Sequence, residues 1–143
     1  MDPYEGLKLE NQLCFPLYAC AKEIVRRYKP FLDELDLTYT QYITMMLLWE
    51  CRESNVKTLG ERLYLDSGTL TPLLKKLEAK GYIARRRSDV DERNLIVTIT
   101  DKGMALREKA VSVPENMGKC LKIKSEDAKQ LYDILYRVLG SIS

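Results

Sequence analysis

Residues 56–77 read VKTLGERLYLDSGTLTPLLKKL and contain two apolar patterns of helical period with a short break between them. The first pattern ends at Leu63, and the second places four leucines at i, i+3, i+4 and i+7 from Leu70. Asp66 or Ser67 supplies the N-cap of the second helix. Two helices joined by so short a turn predict a helix-turn-helix.

The second of these helices is predicted to bind DNA, because its outward side chains combine hydroxyls with ammonium groups. Hydroxyls bond base edges or phosphates, and ammonium groups neutralise phosphates. The candidate DNA-binding residues of this helix and its cap are Asp66, Ser67, Thr69, Thr71, Lys75 and Lys76. Pro72 lacks the backbone N–H that a helix uses and crowds the carbonyl four residues earlier. A proline at this position is explained either by a positional requirement or by strain that the packing tolerates.

A β-hairpin is predicted directly after the second helix. Gly81 fits a C′ cap, and residues 82–86 and 95–99 can pair as two strands around a charged tip. In the winged variant of the helix-turn-helix, an arginine of the hairpin can enter the narrow minor groove. Arg93 is the candidate for that role, and Arg86 is a further DNA-binding candidate, although an isolated hairpin arginine is more often a solvated charge.

Basic side chains are concentrated in this part of the chain. From Lys57 to Arg87 there are eight basic and three acidic residues, a net charge of +5, whereas the whole chain carries +2 and the remainder −3. Such clustering is typical of a nucleic-acid-binding module. An ordinary solvated basic face would give the same count.

The composition excludes several classes of function. A chain of 143 residues fits one domain, and 45% apolar with 31% charged residues indicates a globular protein. The chain contains no histidine, which excludes Ser-His-Asp and Cys-His catalysis and histidine-containing zinc sites. A hydrolase is therefore not expected, folding needs no metal, and no cofactor is expected.

The N-terminus lacks the pattern of a signal peptide, and no apolar stretch approaches the length of a membrane span. A cytoplasmic protein without a membrane partner is expected. In that reducing compartment its four cysteines should rest as thiols, and their spacing matches no zinc signature.

Helical periodicity dominates the N-terminal end of the chain. The pattern from Leu7 to Tyr28 predicts an amphipathic helix that Lys29 and Pro30 bring to an end. Thr38 is predicted to cap a second helix with a face of large apolar side chains.

The C-terminal end is predicted to hold two helices. Thr100 caps a weakly amphipathic helix that Pro114 and Gly118 interrupt, and a final helix with an apolar stripe begins at Ser125.

The predicted fold is mainly α with a small β-hairpin wing. A winged helix-turn-helix at about residues 38–100 is flanked by a dimerisation region at about 7–36 and 104–143. The first and last helices carry apolar faces that a small winged core cannot cover, which favours a homodimer. The alternative is that these two helices only pack on each other within one chain.

Three motifs then identify a family. The runs NQLCF at 11–15, YLDSGTLTP at 64–72 and DER at 91–93 resemble the MarR family of winged-helix repressors. The first two are specific to its organic-hydroperoxide-sensing, OhrR-type branch, and the third marks the wider family. The resemblance is nearly continuous over residues 9–93.

The resemblance implies a redox switch rather than a catalytic cycle. Cys14 corresponds to the reactive thiolate that organic hydroperoxides oxidise to a sulfenic acid, and Tyr28 and Tyr39 to two tyrosines that hydrogen-bond it across the dimer interface. Geometry independently favours the second chain, because Cys14 and Tyr28 would lie about 21 Å apart along one straight helix.

The resemblance leaves open which thiol resolves oxidised Cys14. Some family members form an intersubunit disulfide and others use a small-molecule thiol; Cys120 is the candidate resolving thiol, with an inert thiol as the alternative. Cys20 lies about 240° around the helix from Cys14, a poor geometry for a disulfide between them. Cys51 is expected to be a buried small apolar residue.

Pro16 departs from the family pattern and is expected to delay or kink the first helix.

The leading hypothesis is a dimeric repressor that binds a pseudo-palindromic double-stranded operator and releases it when an organic hydroperoxide oxidises Cys14. One alternative is a repressor relieved by a phenolic ligand bound in the dimer cleft. A second alternative, from a different class, is a thiol peroxidase.

Overall fold

The computed structural model describes residues 1–91 and 94–142. Within these ranges the chain forms seven α-helices and three short strands, preceded by 3-10 turns at Glu5–Leu7 and Leu9–Asn11. In chain order the elements are α1 (Cys14–Asp33), α2 (Tyr39–Cys51), β1 (Glu53–Asn55), α3 (Val56–Leu63), α4 (Ser67–Ala79), β2 (Ile83–Arg87), β3 (Leu95–Ile99), α5 (Asp101–Ala110), α6 (Ser112–Cys120) and α7 (Ser125–Ile142).

The helix-turn-helix consists of α3 and α4, as predicted. Tyr64 takes the left-handed conformation at the end of α3, and Asp66 is the extended N-cap of α4. Gly60 lets the turn close on α3, because a Cβ atom there would lie 2.8 Å from the carbonyl oxygen of Leu65. Pro72 lies inside α4, one turn after its start.

The wing is the antiparallel pair β2–β3, which runs in register from Ile83 opposite Ile99 to Arg87 opposite Leu95. Gly81 has a φ of +83°, which confirms its predicted role after α4. The third strand, β1, was not predicted. Its sequence Glu-Ser-Asn has no β pattern, and the strand exists because it pairs with β3 at the edge of the sheet.

The N-terminal helix differs from its prediction at both ends. It begins at Cys14 rather than near residue 7, because the side chains of Asn11 and Gln12 hold the preceding segment in 3-10 turns. It also runs through Pro30, which has no N–H to donate to the carbonyl four residues earlier, and ends three residues later at Asp33. Pro16 is the third residue of α1, where its missing N–H would have no helical partner, and α1 starts later than the periodicity predicts, as expected from this proline.

The C-terminal half contains three helices where two were predicted, because a separate helix, α6, follows α5. Thr100 caps α5 by accepting a hydrogen bond from the N–H of Gly103 at 3.0 Å. The break after α5 falls at Val111, and Pro114 and Gly118 lie within α6 rather than interrupting a helix. Pro114 is tolerated because it is in the first turn of α6.

The core lies between α2, α3, α4 and the sheet and extends to α5 and α6. Met45, Leu48, Leu59, Leu77 and Val97 are fully buried within it. In contrast, α7 has no buried residue in its described part.

Large apolar side chains stay exposed at both ends of the chain. At the N-terminal end they are Leu7, Leu9, Leu13, Phe15, Leu17 and Tyr18, and on α7 they are Leu131, Tyr132, Ile134, Tyr136, Val138 and Ile142. Within residues 1–91 and 94–142, none of the helices combines the length and apolar content that a membrane span needs.

Candidate functional site

Cys14 is the first residue of α1 and is exposed. Tyr28 lies fourteen residues further along the same uninterrupted helix, a rise of about 21 Å. The structure therefore places Cys14 and Tyr28 at different ends of α1, and one chain cannot bring them into contact.

Tyr28 and Tyr39 meet in an aromatic cluster where α1 and α2 cross. Their ring centroids are 4.9 Å apart with an interplanar angle of 52°. Tyr42 packs against both, at 5.8 Å from Tyr28 and 6.3 Å from Tyr39, and its ring meets Trp49 edge-on at 6.5 Å. Tyr42 belongs to the apolar face predicted for the second helix, and its position three residues after Tyr39 places both tyrosines on one helix face.

The environment of this cluster disfavours the phenolate form. Burial raises the pKa of Tyr39, and burial followed by the neighbouring Tyr39 raises that of Tyr28. Burial, then Tyr28 and Tyr39, raises the pKa of Tyr42 to about 12. All three phenols therefore keep their protons at neutral pH, where they can donate hydrogen bonds to an anionic group.

The first turn of α2 holds Tyr39 in place through a capping box. The side chain of Thr38 accepts a hydrogen bond from the N–H of Gln41 at 3.3 Å, and Gln41 Oε1 accepts one from the N–H of Thr38 at 3.0 Å. At the other end of α2, Trp49 Nε1 donates to the carbonyl of Gly103 at 2.9 Å and fixes α2 against α5. The cluster is thus built on two anchored helices.

Cys120 is the exposed last residue of α6. It lines a cleft of about 350 Å³ together with Arg26, Arg27 and Phe31 of α1. These residues flank Tyr28 in the sequence, so Cys120 lies beside the half of α1 that carries the tyrosine and away from its own Cys14.

The remaining cysteines are both exposed. The expectation that Cys51 is buried was wrong, because this last residue of α2 is exposed. In the described part of the chain, no cluster of three or more cysteine, aspartate, glutamate or histidine side chains could hold a metal ion.

The candidate DNA-binding side chains of α4 point outward, while its leucines form the buried face. The outward residues are Asp66, Ser67, Thr69, Thr71, Lys75 and Lys76. Two of them are engaged with each other, because the Thr69 hydroxyl donates to Asp66 Oδ1 at 2.7 Å and thereby lowers the pKa of Asp66.

Two arginines of β2 have carboxylate partners that the sequence did not reveal. The guanidinium of Arg85 lies 3.0 Å from the carboxylate of Glu78 on α4, and the backbone N–H of Arg85 donates a hydrogen bond to the same carboxylate at 3.1 Å. These contacts connect the wing to α4 and lower the pKa of Glu78. Arg86, a DNA-binding candidate, pairs with Glu53 of β1 at 3.3 Å. Arg93 lies outside the described residues.

Comparison with known proteins is consistent with this architecture. A family model described as "Transcriptional regulator SarA/Rot" matches residues 26–110. The organic hydroperoxide resistance transcriptional regulator of Bacillus subtilis (strain 168) is 49% identical over 141 residues, covering 99% of this chain and 96% of that protein. The chain belongs to the MarR family of winged-helix transcriptional regulators. The family predicted from the motifs is confirmed, and it is a family of regulators rather than of enzymes.

Solved structures of AbfR, a regulator of Staphylococcus epidermidis, resemble the chain along nearly its whole length. Reduced AbfR bound to DNA is 34% identical, with a TM-score of 0.79 and coverage of 97% of this chain and 96% of that chain. Disulfide-formed AbfR is 35% identical, with a TM-score of 0.68 and coverage of 96% and 94%.

Proposed function

We propose that the protein is a homodimeric repressor in which an organic hydroperoxide oxidises Cys14 and so releases the operator. The observation that carries this proposal is the separation of Cys14 from the tyrosine cluster along α1. A sensor made of both needs two chains, each of which contributes Cys14 to the cluster of the other.

The exposed apolar surfaces support such a dimer. The N-terminal segment that leads into Cys14 and the helix α7 leave many large apolar side chains in solvent. Contiguous apolar surface of this kind marks an association site in a soluble protein. A symmetric pair of chains would cover both surfaces and place the two α4 helices for two half-sites of a pseudo-palindromic operator.

The redox step follows from thiol chemistry. The Cys14 thiolate attacks the terminal oxygen of the hydroperoxide, the O–O bond breaks, and the alcohol leaves after it takes up a proton; Cys14 becomes a sulfenic acid. The neutral phenols of Tyr28 and Tyr39 in the partner subunit support the thiolate by donating hydrogen bonds. Loss of the negative charge weakens the hydrogen bonds that both tyrosines donate, and the disulfide that follows displaces them.

The resolving step has a favourable location. The sulfenic acid condenses with a second thiol, which forms a disulfide and releases water. Cys120 lies beside the part of α1 that carries Tyr28, so a Cys14 that reaches the partner's cluster also approaches the partner's Cys120. We therefore propose Cys120 as the resolving thiol, with a low-molecular-weight thiol as the alternative.

DNA binding is assigned to the exposed face of α4 and to the wing. Ser67, Thr69 and Thr71 offer hydroxyls to base edges and phosphates, and Lys75 and Lys76 neutralise phosphates. Asp66 orients Thr69, and Arg86 and Arg93 are proposed to approach the adjacent groove.

The test is operator binding before and after treatment with cumene hydroperoxide. Wild-type protein should lose its operator, Cys14→Ser should keep it, and Cys20→Ser, the matched control for an exposed thiol of α1, should behave as wild type. Peptide mapping of the oxidised protein should show an interchain Cys14–Cys120 link that Cys120→Ser abolishes. Equal operator loss in wild type and Cys14→Ser contradicts the proposal.

Two other outcomes favour the alternatives. Retained DNA binding after stoichiometric oxidation of Cys14 would favour relief by a bound ligand. A specific feature supports that second candidate, namely an apolar cleft of about 250 Å³ lined by Tyr42, Trp49 and Arg107. Repeated turnover of hydroperoxide with a reductant would instead indicate a thiol peroxidase.

A further inference from the structure

Lys80 is the C-cap of α4, the proposed DNA-binding helix, and its side chain reaches the turn between α1 and α2. Its ammonium donates hydrogen bonds to the backbone carbonyl of Asp36 and, at 3.3 Å, to Gln41 Oε1, and it lies 3.5 Å from the carboxylate of Asp36. These residues are separated by about forty positions in the sequence. Lys80 thus connects the C-terminal end of α4 to the segment that joins the two tyrosine-bearing helices.

The acceptor on α2 is a buried group with a second task. Gln41 is only 3% exposed, and the same Oε1 that faces Lys80 also accepts the hydrogen bond from the N–H of Thr38 in the capping box. Gln41 follows Tyr39 by two residues and precedes Tyr42 directly. A shift of the tyrosines that moves the first turn of α2 therefore moves the partner of Lys80.

We infer that Lys80 is a positioning residue that couples the tyrosine cluster to the orientation of α4. The inference rests on the proposed function, because it concerns how oxidation of Cys14 beside the tyrosine cluster changes the position of the DNA-binding face. While Cys14 is reduced, the tyrosine cluster holds the first turn of α2, and Lys80 holds the end of α4 against that turn. When oxidation releases Tyr28 and Tyr39, the displaced turn carries the end of α4 with it through Lys80.

A purely stabilising role makes a different prediction. Asp36 is largely exposed, so its ion pair with Lys80 contributes little to stability. If Lys80 only closed the end of α4, its removal would weaken the fold and the affinity for DNA equally in the reduced and oxidised proteins. If it couples the two sites, its removal reduces the effect of oxidation on affinity.

The experiment compares the operator dissociation constants of reduced and hydroperoxide-treated protein. Lys80→Met keeps the apolar stem and removes the donors, and Gln41 Oε1 keeps its bond from Thr38, so the variant should fold. We expect the oxidation-induced rise in the dissociation constant to shrink by about fivefold or more in Lys80→Met. Lys80→Arg should restore most of it, and Lys80→Gln, which retains an uncharged donor, should be intermediate.

Arg85→Met provides the matched control, because it removes a charged tie of α4 to the wing rather than to the α1–α2 turn. It should leave the ratio of oxidised to reduced dissociation constants unchanged. Intact mass should show equal oxidation of Cys14 in every variant, and the fluorescence of Trp49, which contacts Tyr42, should change on oxidation in Lys80→Met as in wild type.

The outcomes separate the inference from the proposed function. If the ratio of oxidised to reduced dissociation constants in Lys80→Met equals that of wild type, with Cys14 fully oxidised, the role of Lys80 is overturned and the redox switch stands. A wild-type protein that keeps its operator after Cys14 is oxidised contradicts the proposed function, and the inference falls with it.

Discussion

Tyr42 offers a direct test of how burial controls the tyrosine cluster. Its side chain is only 3% exposed, and burial together with Tyr28 and Tyr39 raises its pKa from 10.0 to about 12. A shift of two units corresponds to about 2.7 kcal/mol of preference for the neutral phenol. Because Tyr42 borders an open cleft that admits water, we expect about half of that, between about 1 and 2 kcal/mol.

The sign of the pH effect follows from the direction of the shift. A phenol whose pKa is higher in the folded than in the unfolded chain stabilises the fold fully below pH 10.0, and this contribution is lost as the pH rises towards about 12. Tyr42→Phe has no proton to lose at this position. Wild-type protein should therefore lose about 1 to 2 kcal/mol more unfolding free energy than Tyr42→Phe across that window.

The assay is chemical denaturation of both proteins at a series of alkaline pH values. Tyr4→Phe is the control, because Tyr4 is 68% exposed, and its stability should follow that of wild type at every pH. Parallel curves for wild type and Tyr42→Phe would refute the reasoning. Burial would then not favour the neutral phenol of Tyr42 in the folded protein.

Three further substitutions test the capping box of α2 and the proposed DNA-binding face of α4. Thr38→Ala removes the side-chain acceptor for the N–H of Gln41 and should lower the unfolding free energy by about 1 kcal/mol, measured by denaturant titration; no loss would mean that the capping box does not stabilise α2. Lys75→Met and Lys76→Met should each reduce the slope of log affinity against log salt concentration by about 1 per subunit in DNA-binding titrations, and an unchanged slope would exclude phosphate contacts by that lysine.

The winged helix-turn-helix could be predicted from sequence because its signals are local. The leucines of α4 repeat at helical spacing, and Thr38, Gly81 and Thr100 mark helix ends through chemistry that depends on neighbouring residues alone. The limits of α1 could not be predicted in the same way. Its start depends on side-chain hydrogen bonds from Asn11 and Gln12, which compete with the helix.

The parts of the site that escaped prediction depend on contacts between distant segments. β1 has no β pattern and forms only against β3. Arg85 appears in the sequence as one basic residue among three, and only the packing of β2 on α4 shows that Glu78 engages it. Tyr42 has the spacing of a core residue, and nothing in the sequence distinguishes a buried phenol of the cluster from an apolar core side chain.

The length of α1 also constrains how the proposed signal travels. The helix has 20 residues, a span of about 30 Å, and carries Cys14 at one end and Tyr28 near the other. A Cys14 that meets tyrosines must therefore belong to a different chain from those tyrosines. In the proposed mechanism, oxidation of one thiol would act first on α2 of the partner subunit, and through Lys80 of the partner subunit on its α4. Each DNA-reading helix would in this way be controlled by the redox state of the other subunit, so that oxidation of one thiol per dimer changes the fit of one half-site and weakens binding to the whole operator.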